Sequence, residues 1–265
     1  MPTSHENQDL LFFDDFTSTR LDRSKWNVET TGSIVNHEQQ AYIDSSETIY
    51  SQPEYDSAHG VLVIHPRYRR GYVTPQGHTF DFVSGRINTR AKFEFTHGSV
   101  SARIRLPVGA GLWPAFWTIG AEDRWPACGE IDIMESVGEP DWTSVAIHGP
   151  GYSGETVLVN KKYFPQTNDA LHWHVYSLDW TSTGFIFRID GELIYRAARP
   201  MVEYYGNWVF DKHHYLVLNL AIGGTYPFKT SGLTSPYYGL PDATVQAIRA
   251  DEVRLLVDWV KVARL

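Results

Sequence analysis

The stretch from Cys128 to Gly138 constrains the fold of this 265-residue chain more than any other part of the sequence. Three carboxylates, Glu130, Asp132 and Glu135, alternate there with two isoleucines and a methionine. β-Branched residues between acids are typical of a strand, whereas an exposed helix face carries its acids among Lys, Ser and Ala. The segment therefore predicts a strand that carries three acids next to core residues.

Successive side chains of a strand point to opposite faces, so Glu130 and Asp132 share one face and Glu135 would lie on the other. One extra residue accommodated as a β-bulge, most simply Met134, returns Glu135 to the face of the other two acids. A strand edge with solvated acids and a calcium site are the alternatives. Calcium loops, however, separate their ligands with turn-forming residues rather than bulky apolar ones. We therefore expect all three acids to line one cleft.

Paired carboxyl groups in a cleft are suited to the hydrolysis of glycosidic bonds. When they lie about 5 to 5.5 Å apart, one attacks the sugar carbon and the other protonates the leaving oxygen, with retention of configuration. A third acid beside them would hydrogen-bond the nucleophile and separate the pKa values of the pair. The spacing of the acids therefore favours a catalytic role.

Composition narrows the class of partner. Aromatic residues make up 14% of the chain, with 9 Trp and 15 Tyr, which supports a carbohydrate-binding protein without proving one. The net charge of -8 argues against nucleic acid or an anionic membrane as partner. A single cysteine, Cys128, excludes an intramolecular disulfide and a cysteine-based metal cluster. Arg67, Arg69 and Arg70 form a cationic patch in what we predict to be a solvated loop.

The rest of the chain shows many short strand patterns separated by Gly, Pro, Asn and Asp. Residues 98–107 alternate cleanly between apolar and polar side chains, which predicts a half-buried antiparallel strand. Asp190-Gly191 between two apolar runs predicts a hairpin. We expect no helix longer than about two turns. The pattern predicts an all-β sandwich or barrel, with residues 10–265 as a single domain after a flexible tail, residues 1–9.

The run Gly129-Glu-Ile-Asp-Ile-Met-Glu135 resembles the active-site signature of glycoside hydrolase family 16, in the branch of laminarinase-like endo-β-1,3-glucanases. The resemblance extends from Phe13-Asp-Asp-Phe16 to Val257-Asp-Trp-Val260. It implies a β-jelly roll of two curved antiparallel sheets, with a substrate cleft across the concave face.

The resemblance also implies the roles of the acids. Glu130 would be the nucleophile, Glu135 the general acid and base, and Asp132 the residue that orients Glu130. The expected reaction is retaining endo-hydrolysis of β-1,3-glucan, with mixed-linkage β-1,3/1,4-glucan as a further substrate and no cofactor for catalysis. A lectin-like binding module and a transglycosylase on the same scaffold are the alternatives.

Six further residues match family positions that face the substrate: Asn36, Arg86, Trp113, Trp117, His148 and His174. Core packing is the alternative for one of the two tryptophans, a solvated charge for Arg86, and a metal pair with His172 for His174.

The resemblance implies two further properties. One is a structural calcium ion at Asp258 on the last strand and near Asp15, where a solvated carboxylate is the alternative. The other is secretion: residues 1–9 contain no apolar segment of a secretion signal, as expected if a leader has been removed, although a cytoplasmic protein would look the same. We expect a monomer with a polysaccharide substrate and without nucleic acid or membrane partners.

Overall fold

The computed structural model describes residues 9–54, 56–57 and 60–265, so most of the predicted tail lies outside the described residues. The strands are β1 (Leu10–Asp14), β2 (Asn27–Val28), β3 (Gln40–Tyr42), β4 (Ile49–Pro53), β5 (Gly60–Ile64), β6 (Arg67–Val73), β7 (Thr79–Ser84), β8 (Arg86–Asn88), β9 (Gly98–Arg105), β10 (Leu112–Gly120), β11 (Glu130–Glu135), β12 (Trp142–His148), β13 (Leu158–Tyr163), β14 (His174–Thr181), β15 (Gly184–Ile189), β16 (Glu192–Ala198), β17 (His214–Ile222) and β18 (Leu255–Ala263). The helices are a 3₁₀ turn (Gly154–Thr156), α1 (Arg199–Tyr205), α2 (Thr225–Ser231) and α3 (Asp242–Arg249).

Two large antiparallel sheets form the body of the molecule. The eight-stranded sheet has the order β16-β15-β14-β9-β18-β5-β4, and β1 also pairs with β18. The seven-stranded sheet has the order β13-β12-β11-β10-β17-β8-β2. A small third sheet, β3-β7-β6, contains the parallel pair β3 and β7. The prediction of an all-β sandwich is confirmed.

Period-two alternation decides which side chains enter the core between the large sheets. Along β9, Val100, Ala102 and Ile104 are fully buried while the Ser and Arg residues between them stay partly exposed, as the sequence predicts. Along β14, Tyr176 and Leu178 are buried in the same way. Complete burial of one large apolar side chain contributes about 1.5 to 3 kcal/mol, so this regular alternation fixes the register of both strands.

The arginine-rich segment differs from the expectation of a loop, because residues 67–73 form strand β6. Arg67 forms an ion pair with Asp251, and the Arg69 guanidinium lies 2.8 Å from the Glu47 carboxylate. β6 is partly or fully exposed along its length, so the sequence lacks the apolar alternation that reveals a strand.

Among the described residues, no helix is long and apolar enough to cross a membrane.

Candidate active site

Strand β11 carries the three acids and contains the predicted bulge. Asp132 pairs with Trp117 and Met134 pairs with Phe116, so Ile133 has no partner on β10. The residue without a partner is therefore Ile133 rather than Met134. Ile133 and Met134 are both buried in the core, and this pair of consecutive inward side chains returns the last acid to the outer face.

Residues paired across neighbouring strands point to the same face, so the strand register identifies the neighbours of the acids. The row through Glu135 contains Arg86, Asn219, Ala115, Ser144 and Lys161. The row through Asp132 contains Asn88, Val217, Trp117, Ala146 and Val159. The row through Glu130 contains Tyr215, Ile119 and His148. The acids therefore lie near the middle of one sheet face, which they share with several of the predicted substrate residues.

Aromatic side chains form the edge of the site next to Glu135. The Trp113 indole N–H donates a hydrogen bond of 2.8 Å to Glu135 Oε1. The Tyr226 ring meets the Trp113 ring edge to face at 5.6 Å, and its hydroxyl lies 3.0 Å from Ser144 Oγ. These contacts fix the orientation of the Glu135 carboxyl group and bound the site on that side.

His148 and Trp125 form the edge next to Glu130. His148 Nε2 lies 3.1 Å from Asp132 Oδ2 and 3.8 Å from Glu130 Oε1. The side chain of the half-exposed Trp125 favours the ionised form of Glu130, and its ring centroid lies 6.1 Å from that of His148. A histidine paired with two carboxylates reduces the cost of placing negative charge there.

Glu130, Asp132 and His148 each offer one donor atom, and these atoms all lie within 4.8 Å of one another. The three residues could therefore hold a metal ion. One nitrogen and two carboxylate oxygens are donors that suit zinc. The imidazole already pairs with Asp132, and this contact accounts for the cluster as part of an acid site.

Burial is the main influence on the ionisation of the acids. It raises the pKa of each of the three acids to about 8, and the charge of Asp132 adds to the shift at Glu130 and at Glu135. The Glu130 side chain is 18% exposed against 4% for Asp132, and His148 favours the ionised form of Glu130. Because three neighbouring carboxyl groups cannot all ionise together, the cluster keeps protons near neutral pH, and the more exposed Glu130 ionises more readily than Asp132.

A chain of hydrogen bonds extends over the β10–β17–β8 side of the face. The Trp117 indole donates to Asn219 Oδ1 at 2.7 Å, the Asn219 amide donates to the Tyr42 hydroxyl at 3.2 Å, and that hydroxyl donates to Glu38 Oε2 at 3.2 Å. The Arg86 guanidinium lies 4.9 Å from the Trp117 ring centroid. Arg86 and Trp117 therefore occupy fixed positions on the face that carries the acids, and their contact with substrate stays a prediction.

Beyond this network lies a cavity of about 220 Å³, lined by residues 29–35 together with Glu38, Gln40, Tyr42, Phe80 and Arg86. Arg86 Nε lies 3.0 Å from Glu29 Oε2, so the guanidinium is paired on the cavity wall. Asn36 is exposed nearby, and its carbonyl accepts a 2.7 Å hydrogen bond from the Thr225 N–H. A Cβ on Gly224 would touch both Asn36 and the Trp113 ring, so Asn36 lies at the rim of the site.

The structure places His174 away from this face, so its predicted contact with substrate is wrong. His174 begins β14 in the eight-stranded sheet and is fully buried, because its position has the same parity as the core residues of that strand. Its Nδ1 lies 2.6 Å from Asp190 Oδ2 and its Nε2 lies 3.0 Å from the Asp169 carbonyl. Both ring nitrogens are occupied, which also argues against a metal pair with His172.

The residues proposed for calcium do not fit that ion at Asp258. The Arg103 guanidinium lies 2.6 Å from Asp258 Oδ2, and the Ser57 hydroxyl donates to the other carboxylate oxygen. A cationic group therefore occupies the position where a calcium ion would bind. Asp15 accepts hydrogen bonds from the backbone and hydroxyl of Thr17 in an exposed turn.

Sequence reasoning missed several residues of the site, namely Trp125, Tyr226, Glu29 and Glu38. Trp125 stands close before the acids in the run Arg-Trp-Pro-Ala-Cys-Gly, and a tryptophan so near Glu130 is a usable signal. Tyr226 lies far from the acids in sequence and reaches them only because β17 pairs with β10. Local patterns contain no signal for such a contact.

Comparison with known proteins places the chain in one family. The model for glycosyl hydrolases family 16 matches residues 24–226. Glucan endo-1,3-beta-glucosidase A1 of Niallia circulans is 31% identical over 239 residues, which are 82% of this chain and 34% of that protein. This chain therefore spans about a third of the length of that curated relative.

Two solved structures share the fold over nearly their full length. The endo-beta-1,3-glucanase from Pyrococcus furiosus has a TM-score of 0.82 and 34% identity, and the match covers 96% of this chain and 94% of that one. The catalytic domain of an endo-1,3-beta-glucanase (laminarinase) from Thermotoga petrophila RKU-1 has a TM-score of 0.80 and 30% identity, and 97% of each chain is covered. The predicted jelly-roll sandwich is confirmed.

Proposed function

We propose that this chain, which belongs to glycosyl hydrolases family 16, cleaves β-1,3-glucan internally with retention of configuration, and accepts mixed-linkage β-1,3/1,4-glucan as a second substrate. The observation that carries the proposal is the placement of Glu130, Asp132 and Glu135 on one face of β11. The names of the similar proteins, which describe endo-1,3-β-glucanases, support the class of substrate.

In the first step, the Glu130 carboxylate attacks the anomeric carbon while Glu135 gives its proton to the oxygen of the leaving sugar. The glycosidic bond breaks, and an ester joins the sugar to Glu130. In the second step, the Glu135 carboxylate removes a proton from water, and the water oxygen attacks the anomeric carbon and releases Glu130. We assign the proton to Glu135, whose pKa is raised to about 8, and the negative charge to Glu130, whose ionised form the neighbouring His148 favours.

Asp132 is a positioning residue in this proposal. It is almost completely buried beside Glu130, and burial favours its neutral form, which can donate a hydrogen bond to the nucleophile. His148 and Trp125 hold the other side of Glu130. The nucleophile is thereby oriented by three side chains from β11, β12 and the loop between β10 and β11.

The proposal includes where the enzyme acts and its oligomeric state. A polymeric substrate supports action outside the cell, and we propose an extracellular monomer. We include no calcium ion, because Asp258 is paired with Arg103. A lectin-like module has no use for three clustered acids with a protonated member. Transglycosylation requires the same first step and differs only in the acceptor of the second.

The test is product analysis on laminarin, barley β-glucan and agarose, with the Glu130→Gln variant as control. We expect short oligosaccharides from laminarin, fewer from barley β-glucan and none from agarose, and we expect the variant to bind laminarin without cleaving it. Proton NMR of the first products should show the β-anomer before mutarotation. Binding of laminarin by the wild-type chain without any product would favour the lectin alternative.

A further inference from the structure

Two segments border the active-site face at opposite ends of its strands. The loop of residues 149–157 follows β12 directly after His148, which pairs with Glu130. Helix α2 follows β17 at the other end, where Tyr226 contacts Trp113 next to Glu135. The two segments are therefore the two rims of the cleft.

An ion pair joins these rims. Lys229 Nζ in the last turn of α2 lies 3.0 Å from Glu155 Oε1 in the 3₁₀ turn of the loop. The partners start from opposite ends of the strands, and the Tyr226 hydroxyl of α2 lies 3.0 Å from Ser144 on β12, so the pair lies on the β12 side of the acids. We propose that this pair, the Glu155–Lys229 clasp, covers the glucan path on the β12 side of the acids and selects short chains over long polymers. The inference rests on the proposed function.

The bases of both rims are fixed, so the clasp is the part that can open. Tyr152 is fully buried, donates its hydroxyl to the Asn207 carbonyl at 2.7 Å, and exchanges two backbone hydrogen bonds with Gly149. The N–H of Thr225 anchors the start of α2. By contrast, a Cβ on Gly154 would meet no atom within 4 Å, so the tip of the loop is unpacked.

The floor below the clasp is the row from Asp132 through Ala146 to Val159. His148 borders this row on one side, and Ser144 with Tyr226 borders it on the other. A glucan that leaves the acids in this direction has to pass along the row. A short chain can enter by its end, whereas an internal segment of a polymer must enter from above and requires the clasp to open.

The clasp partners are 45% and 79% exposed, which sets the size of the effect. Exposed ion pairs of this kind change an equilibrium by a factor of about five at most. We therefore expect Glu155→Gln and Lys229→Gln each to raise kcat/KM for laminarin about two- to fivefold. The kcat/KM for laminarihexaose should stay unchanged, and 0.5 M salt should reproduce the gain in the wild-type chain but add nothing in the variants.

Two variants control this test. The double variant Glu155→Lys with Lys229→Glu reverses the charges and should return kcat/KM for laminarin to the wild-type value. Glu192→Gln breaks the exposed ion pair with Lys162, which joins β13 to β16 away from the active-site face. This variant should leave kcat/KM unchanged for both substrates. Equal changes for laminarin and laminarihexaose, or no change in either clasp variant, would overturn the proposal.

A cross-link tests the geometry without depending on those rates. Cys128 is buried, so cysteines placed by Glu155→Cys and Lys229→Cys are the accessible thiols of the described residues. A short bismaleimide should join them within one chain, and the closed enzyme should keep its rate on laminarihexaose while its rate on laminarin falls. Failure to cross-link would show that the rims do not meet. If the wild-type chain cleaves no β-glucan at all, the proposed function fails. A cross-link that still forms in that case would show that the clasp exists even though the proposed function is wrong.

Discussion

The two halves of the seven-stranded sheet on either side of β11 are built differently. On the β10–β17–β8 side, Trp117, Asn219 and Tyr42 form one hydrogen-bonded chain that ends at the partly buried carboxylate of Glu38. On the β12–β13 side, the row through Asp132 presents Ala146 and Val159, whose side chains make no hydrogen bonds, and the polar groups Ser144 and His148 stand only on either side of this row. The same β-strand framework therefore carries one preorganised half and one plain half.

This difference indicates that the two halves bind the substrate in different ways. Preorganised polar groups bind sugar hydroxyls at a low entropic cost, because their own partners already hold them in place. A plain floor binds weakly and tolerates different chain lengths. We infer that the first half provides recognition and that the second provides passage for the polymer, with the acids at the boundary.

The largest expected effect lies at that boundary. Glu135→Gln removes the group that protonates the leaving oxygen of the glycosidic bond. We expect kcat on laminarin to fall by about 10² to 10⁴. An aryl β-glucoside of laminaribiose has a good leaving group and should lose far less in its first step. Comparison of the two substrates by initial rates checks the assignment, and equal losses on both would contradict it.

The preorganised half should be more sensitive to substitution than the plain half. Asn219→Ala leaves the indole N–H of the partly buried Trp117 without its acceptor. We expect a loss of about 1 to 3 kcal/mol in the free energy of unfolding together with a raised KM. Val159→Ala on β13 is the matched change on the plain half and should stay within about 0.5 kcal/mol. Urea unfolding of both variants measures the difference between their losses of stability. Equal losses would show that the hydrogen-bond network does not stabilise the fold.

The last expected effect concerns the dependence of stability on pH. The folded-state pKa of Asp132 is raised to about 8, above its ordinary value of 3.8, so the folded chain binds this proton more tightly than the unfolded chain. The associated stability is present below the unfolded pKa and is lost as pH rises from about 4 to about 8. Asp132→Asn cannot ionise and should be more stable than the wild type at pH 8. We expect a gain of about 1 to 3 kcal/mol, which is less than the full shift of one isolated group would give, because the neighbouring acids share the protons. Denaturant titrations at pH 5 and pH 8 check this, and parallel pH slopes for the two proteins would contradict it.

Patterns confined to one strand determined much of the fold and the centre of the site. The alternation in β9 predicted its buried face, and the spacing of Glu130, Asp132 and Glu135 predicted a bulge, because a side chain's face follows directly from position within a strand. The exact bulge residue, Ile133, depended on the register with β10, which a single strand does not encode.

The tertiary structure decided which distant residues reach the acids. His148 and His174 each occupy a terminal position of a strand, yet pairing with β11 brings the first to Glu130 and core-facing parity buries the second in the other sheet. Tyr226 and the clasp between Glu155 and Lys229 arise from segments joined only by strand order. The sequence determined the acids, the strand periods and the family because these depend on neighbouring residues. The surroundings of the acids depend on which strands pair, and pairing is fixed by burial over the whole chain.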